Sequence, residues 1–524
     1  MKPFGTSLMV VLSLLAVPGT VSTALGQGAR STPDDYARQV ISRGESTARA
    51  QGAGEQFGWN VAYSAGDFVR GYEGSKDTAW LEAGMKVFDF CLGRMLPGPD
   101  GYKGFVGDYI YNAREKTNYW TDVHVGDSIL IAPMLEFAEV VLKDPELKKK
   151  YGHAAQRYVE VAKRDLIEKW DRRGTWKEDG PYGCYVGWDL FCTRADPNAW
   201  KRDPKALLAE PAEPFNKNND MGVCALRLFR ITGEEKYRDR ACKVFAYMKS
   251  RFLLVDDYYV WNYWEPFGPE SVDLEKKDTR HWMNVHGGRP YQAGEVPQIV
   301  EAYQTGVVFD KTDIERIINT NLKIMWNGDK AKPKFANSNW LLPVPPGPDG
   351  KAPVPDANSP AGRLWTGLLP FSQTVRDLHA PGLRDPIAKA YYENVIAKRP
   401  VGFERLYCAE KDAKVFDFPF RTCKSLTAAA VMPSIVKPGT KAIVLCKARI
   451  PQERFEVAVY SADGKEKLQV LHQGKIDGGT DGHAGIFILQ WDPASSKDKP
   501  LKGACRVRWT GVDGCREFPI TITE

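Results

Sequence analysis

The chain has 524 residues, 43% apolar and 26% charged, with 72 basic against 66 acidic side chains and a net charge of +6. That length exceeds one ordinary hydrophobic core and calls for two or more domains. The composition is that of a globular chain, and the absence of a concentrated basic stripe argues against non-specific nucleic-acid binding.

In chain order, Lys2, the apolar run Leu8–Val17 and the small-x-small site Ala24-Leu25-Gly26 have the layout of a signal peptide over residues 1–26. The apolar run is too short to span a bilayer. The expectation is a secreted or periplasmic protein whose mature chain starts near Gln27 and has no membrane segment.

From about Asp34 to Arg399 apolar residues recur at three- and four-residue spacing, in paired segments separated by polar turns. The pairs run Gly58–Gly71 with Asp77–Met95, Asp122–Leu142 with Glu146–Trp170, Asn218–Thr232 with Glu234–Phe252, Gln292–Gly306 with Thr312–Trp326, and Gly362–Leu378 with Asp385–Lys398. Gly233 suits the left-handed stop after a helix, and Asp310 or Thr312 can cap the helix that follows. Such hairpins cannot bury their apolar faces singly. A mainly α body, a ring of five to seven helical hairpins over residues 27–425, fits the length. Long loops interrupt it at Asp171–Asn216, Leu254–Tyr291 and the Pro-rich Lys330–Ala361.

Near Leu426 the pattern changes to short β-rich runs: KAIVLCKARI, RFEVAVYSA, GIFILQW, CRVRWTG and FPITIT. Residues 426–524 are expected to form a β-sandwich of immunoglobulin-like size, with a packing or accessory binding role. Ten cysteines in an exported chain make disulfides possible. Cys184 and Cys192 flank an aromatic loop, Cys408 and Cys423 are close in sequence, and Cys505 and Cys515 bracket a hairpin. Spacing alone does not pair them. No zinc-type or EF-hand string appears, and the chemistry considered below requires no metal or other cofactor.

Three stretches carry candidate chemistry. DDYYVWNYWEPFGPE places Tyr258, Tyr259, Trp261, Tyr263 and Trp264 within seven positions. Such side chains either stack on the flat faces of sugar rings or form core. HWMNVHGGRPYQ places His281, His286, Arg289 and Tyr291 close together in a chain with only seven histidines. Gly287, Gly288 and Pro290 keep His286 and Tyr291 out of regular helix at a helix entrance. EPFNKNNDMG sets Asn216, Asn218 and Asn219 before a helix starting near Asp220, as caps or as amides aimed at a substrate carboxylate. In NYWTDVHVGDSILIAPMLEF, His124 and Asp127 are three apart on one helix face. His124 there is either a functional residue or a buried histidine bonded to Asp127.

The run from YYVWNYW through HGGRPYQAGEVPQIVEAYQTGVVF to IINTNLKIMWNGD, set in a helical-hairpin body with a terminal β-sandwich, resembles the (α/α)-toroid polysaccharide lyases that degrade alginate and glucuronan, over about residues 55–400. The Asn-Asn-His run of one alginate lyase group is replaced here by Asn218-Asn219-Asp220. The resemblance implies β-elimination on an acidic, uronate-containing polysaccharide. Asn218 and Arg289 would neutralise the carboxylate, and His286 or Tyr291 would move the proton, aided by a nearby cation that lowers the tyrosine pKa. His124, Trp261, Tyr263, Trp264, Asn219 and Tyr182 are then the expected substrate-binding residues. Two other readings fit the same pattern. One is glycoside hydrolysis by paired carboxylates, with Asp122, Asp127, Asp189, Glu265 and Glu295 as candidates. The other is a non-catalytic glycan-binding protein.

Overall fold

The computed structural model describes residues 32–112, 117–202, 211–284, 290–336, 362–479, 482–495 and 501–523. The expected signal peptide, His286, Arg289 and most of the Pro-rich excursion lie outside the described residues.

Local sequence signals set many helix ends. Helix α1 (Pro33–Gln51) starts in a reciprocal capping box between Thr32 and Asp35, with Pro at its first position. It is followed by α2 (Glu55–Ala65), α3 (Asp67–Ser75) and α4 (Ala79–Leu92). Helix α5 (His124–Lys143) is buried on nearly every side, as an inner helix must be. Asp144 caps α6 (Pro145–Val161), which continues through a π turn into α7 (Lys169–Arg172). Helix α8 (Phe215–Thr232) ends at Gly233 with φ 72°, the left-handed position glycine tolerates. Then come α9 (Glu235–Ser250), α10 (Tyr291–Gln304) and α11 (Lys311–Asn319), the last opened by the Asp310–Asp313 capping box. The body closes with α12 (Gln373–His379) and α13 (Pro386–Tyr391).

Helix packing closes on itself. α2 packs on α5, α5 on α8, α8 on α10, and α10 on the 3-10 turn Thr366–Leu368. From that turn the chain passes through α12 to α13, which packs against α3. Beside this circuit α4 packs on α3, α6 on α5 and α9 on α8.

Three expectations change. α1 was not among the expected pairs. α8 begins at Phe215 rather than near Asp220. The segment expected to be helical from Gly362 forms only the 3-10 turn Thr366–Leu368 and the α-helix Gln373–His379, because Pro370 disfavours helix before its own position. The long loops carry short antiparallel hairpins, among them Trp176–Asp179 with Tyr182–Tyr185 and Leu253–Val255 with Tyr258–Val260.

The C-terminal region is all β. Its strands are β1 (Leu426–Met432), β2 (Ile435–Val436), β3 (Ala442–Ala448), β4 (Gln452–Ser461), β5 (Lys467–Ile476), β6 (Ile486–Trp491), β7 (Gly503–Gly511) and β8 (Gly514–Ile522). They form a three-stranded sheet ordered β1-β3-β6 and a five-stranded sheet ordered β2-β8-β7-β4-β5. All ten cysteines are free thiols. Cys505 lies opposite Ile520 and Cys515 opposite Thr510, so the hairpin that holds them keeps them apart. The β region grips the loops of the helical body. Asn262 Nδ2 donates to the Thr427 carbonyl at 2.9 Å, the buried Lys447 Nζ to the Met283 carbonyl at 2.7 Å, and the Ser434 N–H to Asp179 Oδ2 at 2.6 Å.

Candidate functional site

The inner helices α2, α5, α8 and α10 begin at the same end of the circuit, where Glu55, His124, Phe215 and Tyr291 are their first residues. Lys217 and Asp220, three apart in the first two turns of α8, share one face, and Glu213, two positions before the helix, is reached by Lys217. Lys217 Nζ is 3.3 Å from Glu55 Oε1, 3.7 Å from Glu213 Oε2 and 3.5 Å from the Tyr109 hydroxyl. One ammonium therefore holds two carboxylates from different arcs of the circuit, with the contacting oxygens no more than about 7 Å apart, the sum of the two contacts. Burial opposes the Lys217 charge. Glu55, Tyr109 and Glu213 outweigh that penalty and hold its pKa above the ordinary lysine value.

Glu213 also faces His124, with Oε1 3.7 Å from Nδ1. On the other side of the ring, His124 Nε2 is 3.0 Å from Thr175 Oγ1. That hydroxyl spends its single proton on the Trp170 carbonyl at 3.0 Å, so it can only accept from Nε2–H. The neutral imidazole thus turns its Nδ1 lone pair toward Glu213, forming a slot for one proton between the two side chains. Burial lowers the His124 pKa against the pull of Glu213. Burial opposes ionisation of Glu213, but Lys217 prevails and keeps it a carboxylate. The imidazole stacks on Trp170 at 3.8 Å. Tyr109, Asp122, His124, Trp170, Trp188 and Glu213 line a small cavity beside it.

Asp220 has the opposite tendency. Burial pushes its pKa up to about 8, despite a hydrogen bond from Gln298 Nε2 at 2.5 Å and the proximity of Lys217. At neutral pH the stripe therefore presents an ionised carboxylate, an ammonium and a protonated carboxyl in succession.

Of the expected residues, Tyr263 and Tyr291 are brought to this end of the circuit, their rings stacked at 4.5 Å and 25°. The Phe215 N–H donates to the Tyr263 carbonyl and the Tyr263 N–H to the Asn284 carbonyl, so both flanks of segment 285–289 lie beside the start of α8. His124 is in the site, but its partners are Thr175 and Glu213. Asp127 instead accepts from Lys169, Trp170 and the Phe105 N–H.

Other expected residues serve the framework. Asn218 Oδ1 accepts from the Tyr185 N–H at 2.8 Å, and Nδ2 donates to the Glu213 carbonyl at 2.6 Å. This buried amide is committed to main chain and holds Glu213 in place. Asn219 is fully buried, with Nδ2 3.1 Å from Met248 Sδ. Trp261 and Trp264 are core residues whose indole N–H groups are bound to Glu295 and to the Ala212 carbonyl. Tyr182 is 2% exposed and packs against Phe416 and Phe518.

The carboxylates proposed for hydrolysis are all buried. Asp122 pairs with Lys169 and Arg173, Asp189 with Arg202, Glu265 with Asn262, and Glu295 with Trp261. Sequence reasoning missed Glu55, Tyr109, Glu213 and Lys217. Glu213 and Lys217 stand in the string EPFNKNNDMG, where their four-residue spacing was the available signal. Glu55 and Tyr109 belong to no motif.

No family model matches the chain, and no curated protein matches it. Solved structures that align with it include a family 76 glycoside hydrolase from a bovine Bacteroides thetaiotaomicron strain, at 16% identity over 47% of this chain and 44% of that one, with a TM-score of 0.29. The aligned part is thus less than half of that protein. A second is an inactive variant of an alpha-1,6-mannanase of a Salegentibacter species in complex with alpha-1,6-mannotriose, at 12% identity over 70% and 86% of the two chains, with a TM-score of 0.29. A third is an alkylpurine DNA glycosylase of Pseudomonas fluorescens, at 9% identity over 95% and 100%, with a TM-score of 0.15. Scores this low carry no argument about family or activity, which must be argued from the site itself.

Proposed function

We propose that the protein is a glycan-degrading enzyme that hydrolyses a neutral polysaccharide, with Asp220 as general acid and Glu213 as general base. The observation that carries this reading is the α8 stripe Glu213–Lys217–Asp220. One carboxyl is held ionised and the other protonated, which is the division of roles hydrolysis needs. Glu213 stands two positions before the first residue of α8 and Asp220 in its second turn, with Lys217 between them, so the two carboxyls are held apart as hydrolysis through a free water requires. Asp220 gives its proton to the glycosidic oxygen. Glu213 takes one from the attacking water and shares it with His124 Nδ1. The electrostatics favour a neutral substrate, because the ionised groups described at the opening, Glu55, Glu213 and Lys217, leave an excess of negative charge that repels a uronate.

A second reading, β-elimination on an acidic polysaccharide, draws support from the stacked Tyr263–Tyr291 pair beside Lys217, which sets a phenol near a cation. The strand orders of the C-terminal sheets, with β2 passing to the second sheet, favour reading residues 426–524 as an immunoglobulin-like domain that buttresses a catalytic body ending near residue 425.

The test is to incubate the purified chain with neutral glucans, xylans and mannans, and with alginate, glucuronan and pectate. Hydrolysis yields reducing ends without ultraviolet absorbance; elimination yields an absorbing unsaturated end. Glu213→Gln and Asp220→Asn should each lower turnover roughly 10²- to 10⁴-fold. Near-parental rates in both would remove the assignment.

A further inference from the structure

Helix α2 carries a second stripe, opposite that of α8. Glu55, Trp59 and Tyr63 are four residues apart, so they face one way and step along the axis by about 6 Å each, the scale of one pyranose unit. Both ends of the stripe look across the circuit. Glu55 meets Lys217 of α8, and Tyr63 lies near Arg363, just before the turn that packs on α10. Trp59 Nε1 donates to Glu55 Oε1 at 3.3 Å, and its ring stacks on Tyr63 at 5.7 Å and 29°. Tyr63 is nevertheless 71% exposed, the most exposed aromatic among the described large apolar side chains.

An aromatic that packs on its neighbour yet turns most of its surface to solvent, on a helix of the circuit, does not serve the core. We propose that the stacked pair Trp59–Tyr63 forms a glycan-binding platform along which the substrate chain leaves the catalytic end, the outward face of Tyr63 stacking on one sugar and the edge of Trp59 meeting the next while polar neighbours such as Arg363 bond their hydroxyls. The platform deepens the hydrolase reading and rests on it. It makes the enzyme sensitive to chain length, because each occupied ring adds contact area that short substrates cannot use.

The experiment is calorimetric titration of the full-length Glu213→Gln chain with gluco-, xylo- and manno-oligosaccharides, comparing trisaccharides with hexasaccharides. The hexasaccharide of the preferred series is expected to bind roughly tenfold tighter. Adding Tyr63→Ala should abolish that gain, and adding the milder Trp59→Phe should reduce it, with circular dichroism confirming that both remain folded. A length-dependent gain that survives Tyr63→Ala overturns the platform, as does failure of every oligosaccharide to bind. If the gain depends on Tyr63 while Glu213→Gln alone still cleaves polymer at the parental rate, the platform stands and the assignment of Glu213 falls.

Discussion

The two ends of α8 place charges in contrasting company. At its C-terminal end Arg227 forks onto Glu301 at 2.8 and 3.0 Å and reaches Glu136 at 3.1 Å. Arg230 forks onto Glu139 at 2.8 and 2.7 Å and shares Glu301. No side-chain atom of these two arginines, or of Glu139 and Glu301, is buried without a partner. At the N-terminal end one lysine is shared by two carboxylates, Asp220 is forced to hold a proton, and buried acceptor oxygens of Asn216, Asn219, Gln298 and Glu295 have none. Buried polar groups in a structural role are satisfied, whereas groups arranged for chemistry are left in tension. The same helix is thus a clamp at one end and, in the function proposed above, the catalytic surface at the other.

The sharpest way to break this contrast is to remove a charge from the clamp. Arg227→Met leaves Glu301 with Arg230 alone and takes from Glu136 its arginine, and should lower unfolding stability by about 3 kcal/mol in a urea titration. Asp220→Asn at the other end replaces a protonated carboxyl by a neutral amide of the same shape. It should change stability by less than about 1 kcal/mol at pH 5 while removing activity. A loss for Arg227→Met no greater than that for Asp220→Asn would erase the distinction.

Stability should also respond to pH with opposite sign at the two ends. Although burial opposes it, Arg227 and Arg230 push the Glu301 pKa down to about 2, below the ordinary 4.5. Its contribution is complete above the unfolded value and is lost as pH falls from 4.5 toward 2, on the order of 3 kcal/mol. Asp220 and Glu295 are both raised to about 8, mainly by burial. The folded chain keeps protons there that the unfolded chain releases, so this contribution is present below the ordinary carboxylate pKa and is lost as pH rises to 8. Stability should peak on the acid side of neutrality. The alkaline decline should flatten in Asp220→Asn; a decline of unchanged slope would mean that Asp220 titrates normally.

How far this was legible in the sequence depends on how local each cause is. Gly233 and Asp310 act through their own backbone neighbourhoods, and both helix boundaries were readable. The order of helices in the circuit depends on contacts between distant segments, which periodicity does not encode. The aromatic string DDYYVWNYWEPF misled for a related reason. An aromatic has the same apolar face whether it meets a sugar or a neighbouring indole, and Trp261 and Trp264 meet Phe252, Trp365 and His281. EPFNKNNDMG holds the charged residues of the proposed site but was read for its amides. Placing the start of α8 near Asp220 hid that Glu213 and Lys217 flank its first turn, and Asn218 proved to be the brace of Glu213. Glu55 acquires meaning only from a lysine more than 160 positions away in the chain.

The finest test of the comparison is a single hydroxyl. Thr175 fixes which nitrogen of His124 carries hydrogen, because its own proton is given to the Trp170 carbonyl. Thr175→Val keeps the shape and the main-chain bond from the Thr175 N–H to Trp170, but leaves Nε2–H without an acceptor. The imidazole then gains by moving its hydrogen to Nδ1, where it can donate to Glu213. In that tautomer Nδ1 can no longer receive the proton that Glu213 takes from water. Turnover should fall by up to about tenfold, the scale of one hydrogen bond. The fall should be in kcat rather than KM, with the acid limb of the rate profile displaced, because the group that titrates with Glu213 has changed. A purely structural role for Thr175 would shift the unfolding midpoint and leave that limb where it was. Movement of the limb without loss of stability therefore identifies the proton slot as part of the reactive end of the molecule.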